Sequence, residues 1–272
     1  MESVYRMAKS WVPAWLHPRN TLGPSVIRRT EGRIYAGPFR GMHYPALDYL
    51  TESKTSAFFP KLLGTYEREL AESVEGLISA DPDVVVNVGA GEGYYAVGTA
   101  LRCPKARVVA FEADPAAHAV CADMAERNRV RAALDIRGRC SPGDLADALV
   151  PAVRPAVICD VEGYEDVLLD PVAVPALSAA SILVETHEIA VPGITERLKA
   201  RFASTHAITH ILEVDRTKAD YPFPTLLTRV LPSYYVTFLV REHRFERMNW
   251  LWMRPRGGAA GAAREQPAPA RG

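Results

Sequence analysis

From residue 83 onward the sequence predicts an α/β fold, a mostly parallel sheet with helices on both faces. Three observations carry this expectation. Short β-branched apolar runs alternate with stretches of helical periodicity, as strands joined by crossover helices do. The first run, DVVVNV at 83–88, opens directly into glycines at 89, 91 and 93, where a missing Cβ lets the backbone turn sharply and approach a ligand. The second run, 108–111, leads straight into a carboxylate, Glu112.

The elements follow in order. Strands are expected at 84–88, 107–112 and, less apolar, 133–137, with helices at about 94–102 and 115–129 between them. Pro115 suits a first helical position, since its fixed φ is already helical. A helix at 143–150 opens after Ser141-Pro142, then strands follow at 156–161 and 181–185 and a helix near 195–202. Residues 209–214 and 234–241 read as a final antiparallel pair, giving seven strands. Upstream, FFPKLLGTYERELAESVEGLI at 58–78 has apolar residues at helical spacing and predicts a helix running into the sheet. The expected organisation is therefore an extension over 1–80 capping the core, a principal domain over 81–255, and a tail over 256–272. The tail contains GGAAGAAREQPAPARG, a low-complexity composition that cannot bury a core.

Composition narrows the class. The 272 residues are 48% hydrophobic and 24% charged, with 32 basic and 32 acidic side chains. That suits one α/β domain with additions, and the balanced charge gives no global attraction to nucleic acid or an anionic membrane. The four cysteines, Cys103, Cys121, Cys140 and Cys159, form no C-x-x-C pair. Neither a zinc site nor a disulfide framework is indicated, so a reducing cytoplasmic setting is expected. No apolar run is long enough to span a bilayer, and the N-terminal segment lacks the pattern of a signal peptide. Trp11, Trp15 and Leu16 lie among Arg6, Lys9 and Arg19, a composition compatible with peripheral membrane contact. Pro13 and Pro18 oppose a long amphipathic helix there, so packing on the chain itself or on a partner is the favoured reading.

Strand, glycine turn, helix, strand, acid is the scheme of a Rossmann-like site for an adenosine. An acid at the second strand tip accepts hydrogen bonds from both ribose hydroxyls. Dinucleotide sites require G-x-G-x-x-G/A, with a small third residue where the helix meets a pyrophosphate. That position is Tyr94. The spacing G-x-G-x-G instead matches class I S-adenosylmethionine (SAM) methyltransferases, whose cofactor has no pyrophosphate and whose seventh strand inserts antiparallel beside the fifth. Two alternatives stand beside a SAM-dependent enzyme: a non-catalytic SAM-binding regulatory protein, and a nicotinamide-dependent oxidoreductase, which Tyr94 disfavours. No Asn/Asp-Pro-Pro-Tyr element follows the fourth strand, so a nucleic-acid substrate is not expected.

A second dense signal is CDVEGYEDVLL at 159–169, followed by SILVETHE at 181–188. Side chains alternate along a strand, so Asp160 and Glu162 share a side if extension persists, as do Glu185 and His187. Open α/β sheets bind ligands at the carboxyl ends of their strands, which would bring these four groups together.

NVGAGEGYY, FEADP, CDVEGYEDVLL and ILVETHE together resemble the FkbM-type SAM-dependent methyltransferases over roughly residues 80–190. The D-V-E-G-Y-E element is the most specific part. Asn87 stands where that family usually has Asp, and FEADP has one residue more than the family's F-E-P. GPFRGMHY and KLLGTYEREL also look like segments that precede this domain in some bacterial members. The resemblance implies O-methylation of a hydroxyl on a saccharide or secondary metabolite. It implies that Gly89, Gly91 and Gly93 line the SAM, that Glu112 takes the ribose hydroxyls, and that Asp160 faces the methionine or the acceptor. Cys140 or Ser141 would line the adenine pocket, and Tyr66 and Glu67 would close over the cofactor. His187 is the candidate base, since its unperturbed pKa lies near working pH, and a base acting alone predicts a rate rising near pH 6 to 7. Alternatively Asp160, Glu185 and His187 hold Mn²⁺ or Mg²⁺, or His187 plays only a structural part.

Overall fold

A computed structural model describes residues 14–44, 57–244 and 247–257. Its centre is a seven-stranded sheet in the order β3-β2-β1-β4-β5-β7-β6. The strands are β1 (Val84–Val88), β2 (Arg107–Phe111), β3 (Leu134–Arg137), β4 (Pro155–Cys159), β5 (Ser181–Thr186), β6 (His206–Leu212) and β7 (Asn249–Pro255). The first five pair in parallel, and β7 runs antiparallel between β5 and β6. This is the Rossmann-like, seven-stranded class I methyltransferase fold expected from the sequence. The inner strands β1 and β4 are buried at every residue, which explains their unbroken apolar runs: both faces of a parallel sheet are covered.

The helices are α1 (Pro18–Thr21), α2 (Gly23–Thr30), α3 (Phe58–Leu63), α4 (Ala71–Ser79), α5 (Tyr94–Arg102), α6 (Pro115–Arg127), α7 (Pro142–Leu149), α8 (Glu165–Leu168), α9 (Ile194–Phe202), α10 (Leu226–Val230) and α11 (Ser233–Thr237). Leu145, Leu149, Leu198 and Phe202 cover one face, against Val86, Val109 and Val184. On the other face Val74, Leu77, Val97, Ala100 and Met124 pack with Val85, Ile158, Leu183 and Trp250. The described part of the N-terminal extension joins that second cluster through Phe39, Phe58, Leu62 and Leu70. Phe39 lies directly over Gly98 of α5, where an added Cβ would meet the ring at 2.5 Å.

Three sequence expectations are corrected. Residues 234–241 are not a strand. Val236, Leu239 and Val240 are fully buried at the i, i+3, i+4 spacing of a helix, and α11 starts behind Pro232. The seventh strand is instead NWLWMRP, Asn249–Pro255. The single helix expected over 58–78 is broken at Gly64, which caps α3 at φ 76° with its N–H turned to Lys61 and Pro60. An added Cβ at Gly64 would meet the Ala36 carbonyl oxygen at 2.1 Å, so only glycine fits. Finally, β4 stops at Cys159, two residues before the expected end, because Glu162 (φ 53°) turns the chain.

The expected tail lies outside the described residues apart from Arg256 and Gly257, as do Arg6, Lys9, Trp11 and Pro13. Trp15 and Leu16 are exposed. Among the described residues no helix is long and apolar enough to cross a membrane. All four cysteines are buried and unpaired.

Two stability predictions follow from this packing. Gly98→Ala should destabilise the chain by about 1–3 kcal/mol through overpacking against Phe39, despite alanine's better helix propensity; urea unfolding with an unchanged m-value checks it. His206 is fully buried, its Nε2 2.9 Å from the Ala180 carbonyl oxygen. Burial holds its pKa below the usual value, with Arg256 adding to the effect against the Ala180 hydrogen bond. The unfolded chain therefore takes up a proton that the folded chain refuses, and the contribution of His206 is lost as pH falls below about 6.5. Melting temperatures of the parent protein should fall from pH 7.5 to 5.5 more steeply than those of His206→Gln, on the scale of the histidine titration range.

Candidate functional site

The carboxyl ends of β1, β2, β4 and β5 meet at one edge of the sheet. Gly89 (φ 76°) passes so close to β4 that a Cβ there would lie 1.6 Å from the Asp160 carbonyl oxygen, and Asp160 N–H bonds the Val88 carbonyl at 3.0 Å. Glycine 89 is thus required to bring the turn and the β4 terminus together. Glu112, past β2, accepts from Gly91 N–H at 2.7 Å and from Asp114 N–H at 2.8 Å. Each carboxylate oxygen keeps a second acceptor position. Gly91 has no neighbour within 4 Å of a built Cβ, so its face is open.

Gly89, Gly91, Glu112 and Asp160 line a cleft of about 470 Å³ together with Phe111, Cys140 and Tyr164; Gly93 does not line it and packs against Cys121 and Met124 instead. That volume is in the range of small-molecule sites. Cys140 does line it, whereas Ser141 forms a reciprocal capping box with Asp144 at the start of α7. Asn87, on β1, donates to the Ile158 carbonyl at 3.3 Å, and its buried Oδ1 has no hydrogen-bond partner.

At the β4–β5 rim the acids gather around His187. Its Nδ1 is hydrogen-bonded to Glu165 Oε1, which is fully buried at the start of α8. Its Nε2 lies 3.5 Å from Asp160 Oδ1, 3.5 Å from Glu162 Oε2 and 3.7 Å from Glu185 Oε1, with no hydrogen-bond partner among the described residues. One ligand atom each from Asp160, Glu185 and His187 falls within 4.8 Å of the others. Asp160 and Glu162 thus reach the same histidine, although extension does not persist between them.

Arg244 closes the rim from the other side. Its guanidinium bonds Glu185 Oε1 at 2.8 Å, Glu242 Oε2 at 2.8 Å and Glu67 Oε1. Tyr95 donates to Glu67 Oε2, and the Glu67 N–H donates to Glu242 at 2.9 Å. Burial raises Glu185 to about 10, with the negative charges of Asp160 and Glu67 adding to the effect and Arg244 opposing it. Burial likewise raises Asp160 to about 6 and Glu67 to about 7. Burial disfavours the charged form of His187, but the Glu165 hydrogen bond and the surrounding carboxylates prevail and hold its pKa above the usual value. The rim is an acid-rich site with more carboxylates than cations.

The structure therefore brings together Asp160, Glu185 and His187, and separately the 89–93 turn with Glu112 and Asp160. Tyr66 and Glu67 lie by Arg244. Sequence reasoning gave no role to Glu165, Arg244 or Glu242. Glu165 sits within the D-V-E-G-Y-E element, so its place beside the β4 tip was a usable signal. Arg244 and Glu242 follow a misassigned strand and carried none.

No known family profile matches the chain, and no curated protein matches it. Among solved structures the chain is similar to a precorrin-6y C5,15-methyltransferase from Geobacter metallireducens, at 14% identity and a TM-score of 0.47, over 67% of this chain and 87% of that one. It is similar to an O-methyltransferase from Bacillus cereus in complex with SAH, at 13% identity and a TM-score of 0.45, over 67% and 79%. An O-methyltransferase from Streptomyces achromogenes involved in tomaymycin synthesis is similar at 13% identity and a TM-score of 0.43, over 75% and 91%. Similarities this distant assign neither a reaction nor a substrate.

Arg244→Met should cost about 3–5 kcal/mol, because Glu67, Glu185 and Glu242 lose their shared cation while buried. Arg154→Met, which breaks an exposed pair with Asp81, should cost at most about 1 kcal/mol. Parallel denaturant titrations of the two variants compare them directly.

Proposed function

We propose that this chain is a SAM-dependent methyltransferase that methylates a hydroxyl of a saccharide or secondary metabolite. The observation that carries the reading is the convergence, on one sheet edge, of the 89–93 glycine turn, Glu112 and the Asp160–Glu185–His187 rim. The residues suit the cofactor. Glu112 retains acceptor positions for two ribose hydroxyls. Tyr94 is buried among Phe39, Tyr44, Tyr66 and Tyr95 at the start of α5, so it fills the place where a dinucleotide site needs a small residue. SAM supplies an electrophilic methyl group on a sulfonium.

The protein's part is alignment and proton removal. The described part of residues 1–80 acts as a cap over the 81–255 domain and carries Tyr66 and Glu67 to Arg244 at the rim. His187 Nε2 has no hydrogen-bond partner to displace, and Glu165 on Nδ1 fixes the ring and stabilises its protonated form. A base must be deprotonated to act, so the raised pKa of His187 places the ascending limb of the rate above pH 6.5.

Calorimetry should show S-adenosylhomocysteine binding at micromolar Kd or tighter, about −8 kcal/mol. Glu112→Ala should weaken it by about 1–3 kcal/mol. His187→Ala should retain that binding and lose about 10²- to 10⁴-fold in turnover, read by mass spectrometry over a panel of hydroxylated acceptors. Tight NADH binding with no response to S-adenosylhomocysteine would falsify the assignment.

A further inference from the structure

We propose that Asp160, Glu185 and His187 bind one divalent cation of the Mn²⁺ type, with Glu162 as a further donor from solvent. The His187 ring is 5% exposed, and Nε2 has no hydrogen-bond partner among the described residues although three carboxylates lie within 3.7 Å. An unpaired buried nitrogen is costly. The buried Glu165 holds Nδ1, and that contact is the one that outer carboxylates supply to metal-binding histidines: it fixes the tautomer and directs the other nitrogen's lone pair at an ion.

The spacing agrees. Ligands about 2.0–2.2 Å from an ion stand about 3–3.5 Å apart in tetrahedral or octahedral arrangements. His187 Nε2 lies 3.5 Å from Asp160 Oδ1 and 3.7 Å from Glu185 Oε1, at or a little beyond that edge length, and the three donor atoms fall within 4.8 Å of one another. Glu185 commits only Oε1 to Arg244; its buried Oε2 is also without a partner. His187 Nε2 and Glu185 Oε2 are thus two unpartnered buried atoms from neighbouring residues of one rim. Arg244 cannot supply the missing charge alone, because it is shared among Glu67, Glu185 and Glu242.

Donor chemistry selects the ion. Carboxylates suit Mg²⁺, Ca²⁺ and Mn²⁺, while imidazole suits transition metals. One imidazole among carboxylates is met best by Mn²⁺. Asp160 also lines the 470 Å³ cleft, so the cation would sit beside it. On the methyltransferase reading, from which the purpose of the site follows, an ion there lowers the pKa of a bound acceptor hydroxyl; with the ion bound, His187 Nε2 is a ligand in place of a base, and the acceptor proton passes to solvent.

The test is a Mn²⁺ titration of the chelator-treated full chain by electron paramagnetic resonance, in which free Mn²⁺ gives a signal that binding removes. Calorimetry with S-adenosylhomocysteine on the same samples reads the cofactor cleft independently. One saturable site is expected, weakened at least tenfold by Asp160→Asn and by His187→Gln, and by about 10- to 100-fold by Glu165→Gln, whose side chain touches no ion. Asp123→Asn, half-buried on α6 and paired there with Arg127, should bind as the parent does. Melting curves establish that each variant is folded; should one not fold, Glu162→Gln, with an 89% exposed side chain, takes its place with a smaller expected weakening. Absence of saturable binding up to about 1 mM Mn²⁺, or binding that survives both Asp160→Asn and His187→Gln, overturns the site whatever the cofactor result. Mn²⁺ binding lost in both variants, without any S-adenosylhomocysteine binding to the parent, upholds the site and sinks the methyltransferase reading instead.

Discussion

Arg244 gives its N–H donors to carboxylates that arrive from three distant parts of the chain: Glu67 of the N-terminal extension, Glu185 at the end of β5, and Glu242 just ahead of β7. The three acids would repel one another and could not stay buried without it. Buried ion pairs return little net stability, since desolvation consumes most of the Coulombic gain. The consequence of this pairing is positional. It ties the extension to the sheet edge and fixes Glu185 with one oxygen occupied and the other turned away. Arg216 repeats the arrangement one step outward, joining Glu242 to Glu69 at 3.1 and 2.7 Å. The rim of the cleft is therefore built as a chain of alternating charges, and its last carboxylates, Asp160 and Glu162, have no guanidinium of their own among the described residues.

Backbone geometry at the rim points the same way. Glu67 and Glu162 hold φ of 41° and 53°, a left-handed conformation that costs a non-glycine residue roughly 1–2 kcal/mol. Surrounding contacts must hold each in place. Glu67 has them: its N–H on Glu242, its carboxylate on Arg244 and Tyr95. Glu162 has few, yet its turn directs the chain so that Asp160 faces His187 and Glu165 reaches the other ring nitrogen. Two strained residues on opposite sides of one cluster of acids mark a place where local stability yields to the placement of charge.

Much of this was legible in the sequence, for physical reasons that differ by element. Strands β1, β4 and β5 are buried on both faces, so their apolar runs, VVV, AVIC and ILV, cannot be mistaken for polar loops. The G-x-G-x-G turn is legible because backbone contact with Asp160 admits no Cβ at Gly89. SYYVTFLV misled because its aromatic and β-branched residues have high strand propensity, while the burial of Val236, Leu239 and Val240 follows a helical period. NWLWMRP was passed over although it occupies the interior of the sheet. Arg244 and Glu242 were illegible for another reason: their partner Glu67 is about 175 residues away, and pairing at that range leaves no local pattern.

Asp160 links the two halves of the site. Its backbone is pressed against Gly89, and its side chain, one-third exposed, is shared between the cleft and the His187 cluster. A shift of the 89–93 turn on binding a ligand would therefore move Asp160 relative to His187, because no slack exists at a contact where even a methyl group is excluded. Conversely, whatever neutralises the rim pulls Asp160 toward His187 and so acts on the floor of the cleft. Coupling of this kind needs no long pathway; it follows from one residue having its main chain in one site and its carboxylate in the other.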